Sequence, residues 1–193
     1  MSTIKKENIL RTIFSLTNPN SITNLPDSYY EKRERNLGRG FTLELLTEAD
    51  LKGLKESNRD DYCYLYKDGT KVSDTIFRLG GLSSGFNKKE YCMLIKYELV
   101  NGKMNYGNHC IVDLDGKIVM EAEPFESSFY YLKGVICVKK ETYYNLLTGK
   151  PIANGHQSVN SDNYLFVKNG YKTGFEEGVY KIEYATGNFE IFK

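Results

Sequence analysis

The chain predicts a mainly antiparallel β protein, and three observations carry that expectation. Aromatic residues are plentiful, with 16 Tyr and 10 Phe but no Trp in 193 residues, and such side chains suit a pleated, half-buried surface. From residue 61 onward, short apolar alternations are broken by glycine-containing turn signals, the pattern of strands joined by hairpins. A turn-centred segment also recurs four times, with glycines at positions 69, 116, 149 and 187. The expected fold is therefore β-rich α+β. It consists of serial antiparallel hairpins or meanders of about ten or eleven strands over 61–193, with a small helical and loop region over 1–60.

The first 60 residues read differently from the rest. Ile4, Ile9, Leu10, Ile13, Phe14 and Leu16 fall near helical spacing and predict a helix over 5–16, stopped by Asn18-Pro19-Asn20. Thr47 is placed to cap a second helix over 47–57, with Asp50 in its first turn. Between them lies a stretch from Tyr29 to Gly40 that mixes aromatic residues and cations, read as a solvated helix face or a binding segment.

The four recurring segments superpose without gaps: Tyr62 to Val72, His109 to Val119, Thr142 to Ile152 and Tyr180 to Glu190. Asp-Gly or Thr-Gly at the turn supplies the positive φ that a tight hairpin needs. A second element, four apolar residues followed by Lys, recurs at Cys92–Lys96, Val135–Lys139 and Tyr164–Lys168. Strands of this kind bury a face when the next unit stacks on it. The lysines are expected to be solvated strand ends that discourage edge pairing.

These residues resemble WG-type (KWG) repeats over about 61–193. The best match runs from Gly107-Asn108-His109-Cys110 through Asp115-Gly116-Lys117 to Pro124-Phe125, and a second from Gly134 to Gly149-Lys150-Pro151-Ile152. The Trp-Gly pair of such units is Tyr106-Gly107 in one unit here and is lost in the others. The resemblance implies hairpin units in series, WG- or propeller-like, and a binding or scaffold role with no catalytic residues.

Charge and motifs narrow the function classes. With 26 Lys and Arg against 25 Asp and Glu, no account built on a strongly basic or acidic chain is favoured. No apolar run reaches the length of a membrane span and no signal-peptide pattern follows the N-terminal lysines, so a cytoplasmic protein is expected. Cys63, Cys92, Cys110 and Cys137 lack the paired spacing of a zinc site and read as buried, reduced core thiols, with Cys63 and Cys110 facing the same way. His109 and His156 form no recognisable pair with a nucleophile. Asp113-Leu114-Asp115-Gly116 lacks the later ligands of a calcium loop and reads as a hairpin turn. Glu121, Glu123 and Glu126 read as a solvated strand face, and no cofactor or metal is expected.

Loops at 80–90, 101–108 and 154–162 and the 29–40 segment remain as candidate partner surfaces. Tyr29, Tyr30, Lys32, Arg33, Arg35, Arg39 and Phe86 are the candidate binding residues, expected to be exposed. The favoured reading is a non-enzymatic module that binds another protein, of inhibitor, immunity or adaptor type, because Tyr adds contact area at low entropy cost. Nucleic-acid or nucleotide binding through segment 29–40 is the alternative, followed by an enzyme without a recognisable motif.

Overall fold

The computed structural model describes residues 34–193, apart from 48–49, 51–61, 80–84, 88, 102, 106, 125, 127 and 170–173. The expected helix over 5–16, nearly all of the one over 47–57, and Tyr29, Tyr30, Lys32 and Arg33 lie outside the described residues. Thr47 and Asp50, the expected cap and first-turn residue, are bonded to each other. The Thr47 amide and hydroxyl donate to Asp50 Oδ2 at 2.8 and 2.6 Å, and the Asp50 amide returns a bond to Thr47 Oγ1 at 3.3 Å. These bonds, the hydroxyl's foremost, hold the Asp50 carboxyl below its usual range.

Sixteen strands, all paired antiparallel, make up the regular structure of the described residues. A four-stranded sheet holds β1 (Glu34–Gly38), β2 (Phe41–Leu45), β3 (Tyr62–Lys67) and β4 (Thr70–Arg78) in sequence order. A three-stranded sheet follows, made of β5 (Cys92–Ile95), β8 (His109–Val112) and β9 (Ile118–Glu121). The hairpin of β6 (Glu98–Val100) and β7 (Lys103–Asn105) is inserted between β5 and β8. The last sheet is a seven-stranded meander: β10 (Phe129–Lys133), β11 (Ile136–Lys139), β12 (Thr142–Asn145), β13 (Lys150–Asn160), β14 (Tyr164–Asn169), β15 (Val179–Glu183) and β16 (Phe189–Phe192). No barrel closes among the described residues.

The middle sheet explains why a strand can be apolar throughout. Cys92, Leu94, Cys110 and Val112 point into one core with Leu37, Phe41, Leu43, Cys63, Leu65, Phe77 and Phe86. Ile111, one residue out of phase, points into a second core with Ile136, Val138, Leu165, Val167, Tyr180 and Ile182, and Met93 and Met120 pack against it. Cys110, Ile111 and Val112 are all fully buried, as a strand covered on both faces requires. A third cluster of Leu46, Tyr62 and Met104, with Tyr64, Ile76 and Tyr97 against it, lies beside the four-stranded sheet.

The turn reading holds at all four positions. Gly69, Gly116, Gly149 and Gly187 have φ of 78°, 79°, 68° and 71° and join β3 to β4, β8 to β9, β12 to β13 and β15 to β16. Asp113 spends its Oδ1 on the Asp115 and Lys117 amides, both at 2.9 Å, which makes it a turn former. Each hairpin is also flanked by an antiparallel strand on its first arm: β2 on β3, β5 on β8, β11 on β12 and β14 on β15.

Other expectations are corrected. Residues 34–45, read as helix or loop, form β1 and β2, and β2 pairs with β3, so the four-stranded sheet crosses the boundary placed at residue 60. Fourteen of the strands begin after residue 61, more than expected, because two of the expected loops contain strands. The 101–108 loop contains β7, and most of 154–162 belongs to β13, whose first half pairs with β12 and whose second half pairs with β14. Ladder bonds satisfy the main-chain groups of polar residues and glycines there as readily as water would in a loop.

Candidate functional site

The 34–40 segment and residues 85–87 were nominated separately, yet in the structure they meet. Phe86 is fully buried rather than exposed. Its ring stacks on Phe41 with centroids 4.3 Å apart, and its amide donates to the Leu37 carbonyl at 2.5 Å. Arg39 is exposed, but its Nε donates to the Asn87 carbonyl at 3.2 Å. Arg35 is half-buried and its NH1 donates to the Leu79 carbonyl at 3.2 Å. Aromatic and guanidinium groups that look like a binding surface in the sequence thus clamp a loop onto the first core.

Of the strand-end lysines, Lys168 is exposed as expected, whereas Lys96 and Lys139 are corrected. Lys96 Nζ lies 2.5 Å from Glu121 and 3.5 Å from Glu98 with only 17 % of its side chain exposed. Burial pulls the Lys96 ammonium down, but the two carboxylates outweigh it and the net shift is upward. Lys139 Nζ sits 2.9 Å from Glu123 and donates to the Glu121 carbonyl at 3.0 Å; that bond holds the Glu123 carboxyl below its usual range. Glu121 at the end of β9 and Glu123 just beyond it therefore face half-buried cations rather than solvent alone.

The four thiols are free and buried. Cys63 and Cys110 point into the same core, from two different sheets. Burial pushes the Cys92 thiol up to about 11 and those of Cys110 and Cys137 up to about 12, which makes them poor nucleophiles. His109 is half-buried on β8 beside a small cavity of about 250 Å³, shared with Glu123 and Glu126, and His156 is exposed on β13.

The larger opening lies where three turns of the seven-stranded sheet converge, a groove of about 620 Å³. Its walls include Tyr131 and Lys133 at the end of β10, Asp162 and Tyr164 around the β13–β14 turn, and Glu183 and Tyr184 at the end of β15. Lys89 and Glu90 close one side. Main-chain bonds fix the three turns: Val135 N–H donates to the Tyr184 carbonyl at 2.7 Å, and Tyr184 N–H to the Asn163 carbonyl at 3.0 Å. Gly134 (φ +58°) makes the first approach possible, because a Cβ there would overlap the Tyr184 carbonyl oxygen. Lys133 Nζ reaches across to the Asp162 carbonyl at 2.7 Å.

Each groove ring has a cation over it, two of them from the groove lining and the third, Lys181, from β15. Lys89 stands 5.5 Å from the Tyr131 centroid, Lys133 5.4 Å from Tyr184 and Lys181 4.4 Å from Tyr164. The Tyr131 hydroxyl donates to the Gly134 carbonyl at 2.9 Å, and that of Tyr184 to Asn160 Oδ1 at 3.1 Å. Burial raises the Tyr131 hydroxyl to about 12 and that of Tyr184 by a smaller amount, so both rings stay neutral hydrogen-bonding groups. Glu90, Asp162 and Glu183 balance the lysines, leaving a mixed-sign, phenol-lined surface.

None of the groove tyrosines was a sequence candidate. Their only signal was position: Tyr164 heads the third apolar element, Gly134 precedes the second, and Tyr184 lies three residues before a turn glycine. No protein-family model, curated protein or solved structure matches the chain. Among the described residues, no helix is long and apolar enough to cross a membrane, and no three His, Cys, Asp or Glu side chains group as a metal site would need.

Proposed function

We propose that this chain is a non-enzymatic protein-binding module, of inhibitor, immunity or adaptor type, that acts in the cytoplasm and docks its partner at the three-turn groove. The observation that carries this reading is the groove itself: rigidly bonded turns that set the half-buried Tyr131 and Tyr164 and the buried Tyr184 among lysines and carboxylates of both signs. Tyrosines flanked by both charge signs suit a protein surface, whereas a nucleic acid calls for cations without opposing carboxylates. Arg35 and Arg39, the cations that would have favoured nucleic acid, are engaged with loop carbonyls. The scaffold reads as degenerate WG-like hairpin units in series, each a strand followed by a glycine-turn hairpin.

Affinity capture from a native-host lysate tests the reading. Wild-type protein is expected to retain a specific protein partner that the double variant Lys89→Glu/Lys133→Glu loses. Equal capture by both proteins, or turnover of a small molecule by the purified chain, overturns it.

A further inference from the structure

The seven-stranded sheet ends in an edge that is unusual for its side chains. Among the described residues, β16 has a strand neighbour only in β15. Five large apolar side chains stand exposed among the described residues, and two of them, Phe189 at 48 % and Phe192 at 51 %, are on this four-residue strand. An exposed apolar edge is a template for another strand.

The hydrogen-bond phase of that edge can be read. Glu183 N–H donates to the Asn188 carbonyl at 2.8 Å, and β15 continues against β16 with Ile182 opposite Phe189 and Lys181 opposite Glu190. Antiparallel alternation then turns the main-chain groups of Glu190 and Phe192 toward β15 and those of Phe189 and Ile191 outward. Phe189 and Ile191 share one face and Glu190 and Phe192 the other.

We propose that β16 pairs with β16 of a second copy of this chain, antiparallel and centred on Ile191. A two-fold axis through the sheet keeps like faces together, so the pair must centre on a residue rather than between two. Centring on Glu190 joins outward groups, Phe189 with Ile191 of the second copy, but it sets the Glu190 carboxylate directly against its own copy. Centring on Ile191 joins outward groups to outward groups. It places Phe189 opposite Lys193 of the second copy and Glu190 opposite Phe192 of the second copy, so no like charges face each other. A four-residue edge is a small contact, and the pair is accordingly weak and concentration-dependent.

Sedimentation equilibrium from about 10 μM to about 1 mM tests this, with circular dichroism confirming that the variants are folded. Wild type is expected to pass from monomer to dimer over this range. Phe192→Lys sets a cation opposite Glu190 of the second copy, twice by symmetry, and keeps the dimer. Phe192→Glu sets two pairs of carboxylates against each other and weakens it about tenfold or more. Equal weakening by both variants would mean unspecific apolar contact and overturns the register. Wild type that stays monomeric, or that grows into open-ended assemblies, overturns the closed pair.

Discussion

The clamp between β1–β2 and residues 85–87 and the groove at the three turns contain the same kinds of residue, aromatic rings beside cations. They differ in where the polar groups are spent. In the clamp, Arg35, Arg39 and the Phe86 amide all reach main-chain oxygens of the facing segment, and Phe86 lies fully in the core. In the groove, main-chain bonds hold the turns while lysines stand over ring faces and carboxylates stay at the rim. Residue type is shared by the internal seam and the groove; what separates them is burial, for Phe86 is fully enclosed while Lys89 and Lys133 are exposed.

The largest expected effect tests the internal side of that comparison. Phe86→Ala removes a stacked ring from a closed core and should cost about 3–5 kcal/mol of unfolding free energy in urea titration. A loss under about 1 kcal/mol would place Phe86 at the surface instead.

Turn glycines test the groove's rigidity. Gly134→Ala combines positive φ with a collision at the Tyr184 carbonyl, and should cost clearly more than about 1 kcal/mol. Gly149→Ala, with nothing within 4 Å of the added Cβ, should cost only the backbone term of about 1 kcal/mol. Equal costs in thermal melts would show that the β10–β11 turn is not pressed against β15.

Lys96 belongs with the internally satisfied cations, and pH tests its pairing. Its folded pKa is raised, so its contribution is fully present below the ordinary lysine pKa and is lost as pH rises through the folded one. Lys96→Met should lower stability by up to about 1 kcal/mol at neutral pH, since its partner Glu121 is partly screened by water. The gap from wild type should close in strongly alkaline solution. A gap that does not change with pH would deny the pairing.

The smallest expected effect is on the groove side. Lys89→Glu/Lys133→Glu should shift unfolding free energy by no more than about 0.5 kcal/mol, since both side chains are exposed. A larger loss in urea titration would make these lysines part of the scaffold.

Much of the fold was legible in local pattern. Each turn glycine marks a hairpin because the φ requirement is written in one or two residues, and the apolar runs at Cys92, Val135 and Tyr164 mark strands because burial needs consecutive apolar positions. What could not be read depends on partners far along the chain. Phe86 looks like a loop aromatic until Leu37 and Phe41, more than forty residues earlier, are folded over it. β1 opens on the consecutive charges Glu34 and Arg35, which suit a strand beside solvent as well as a solvated helix. The groove is built from three turns that only the meander brings together.

The claim that the 34–41 arm is an internal seam is tested most directly by native-state hydrogen exchange at the Phe86 amide, which donates to the Leu37 carbonyl across the seam. The account predicts that this amide exchanges orders of magnitude more slowly than an unstructured peptide, with protection close to that of the first core's strands. Exchange at the free-peptide rate would contradict it and return the segment to the list of open surfaces.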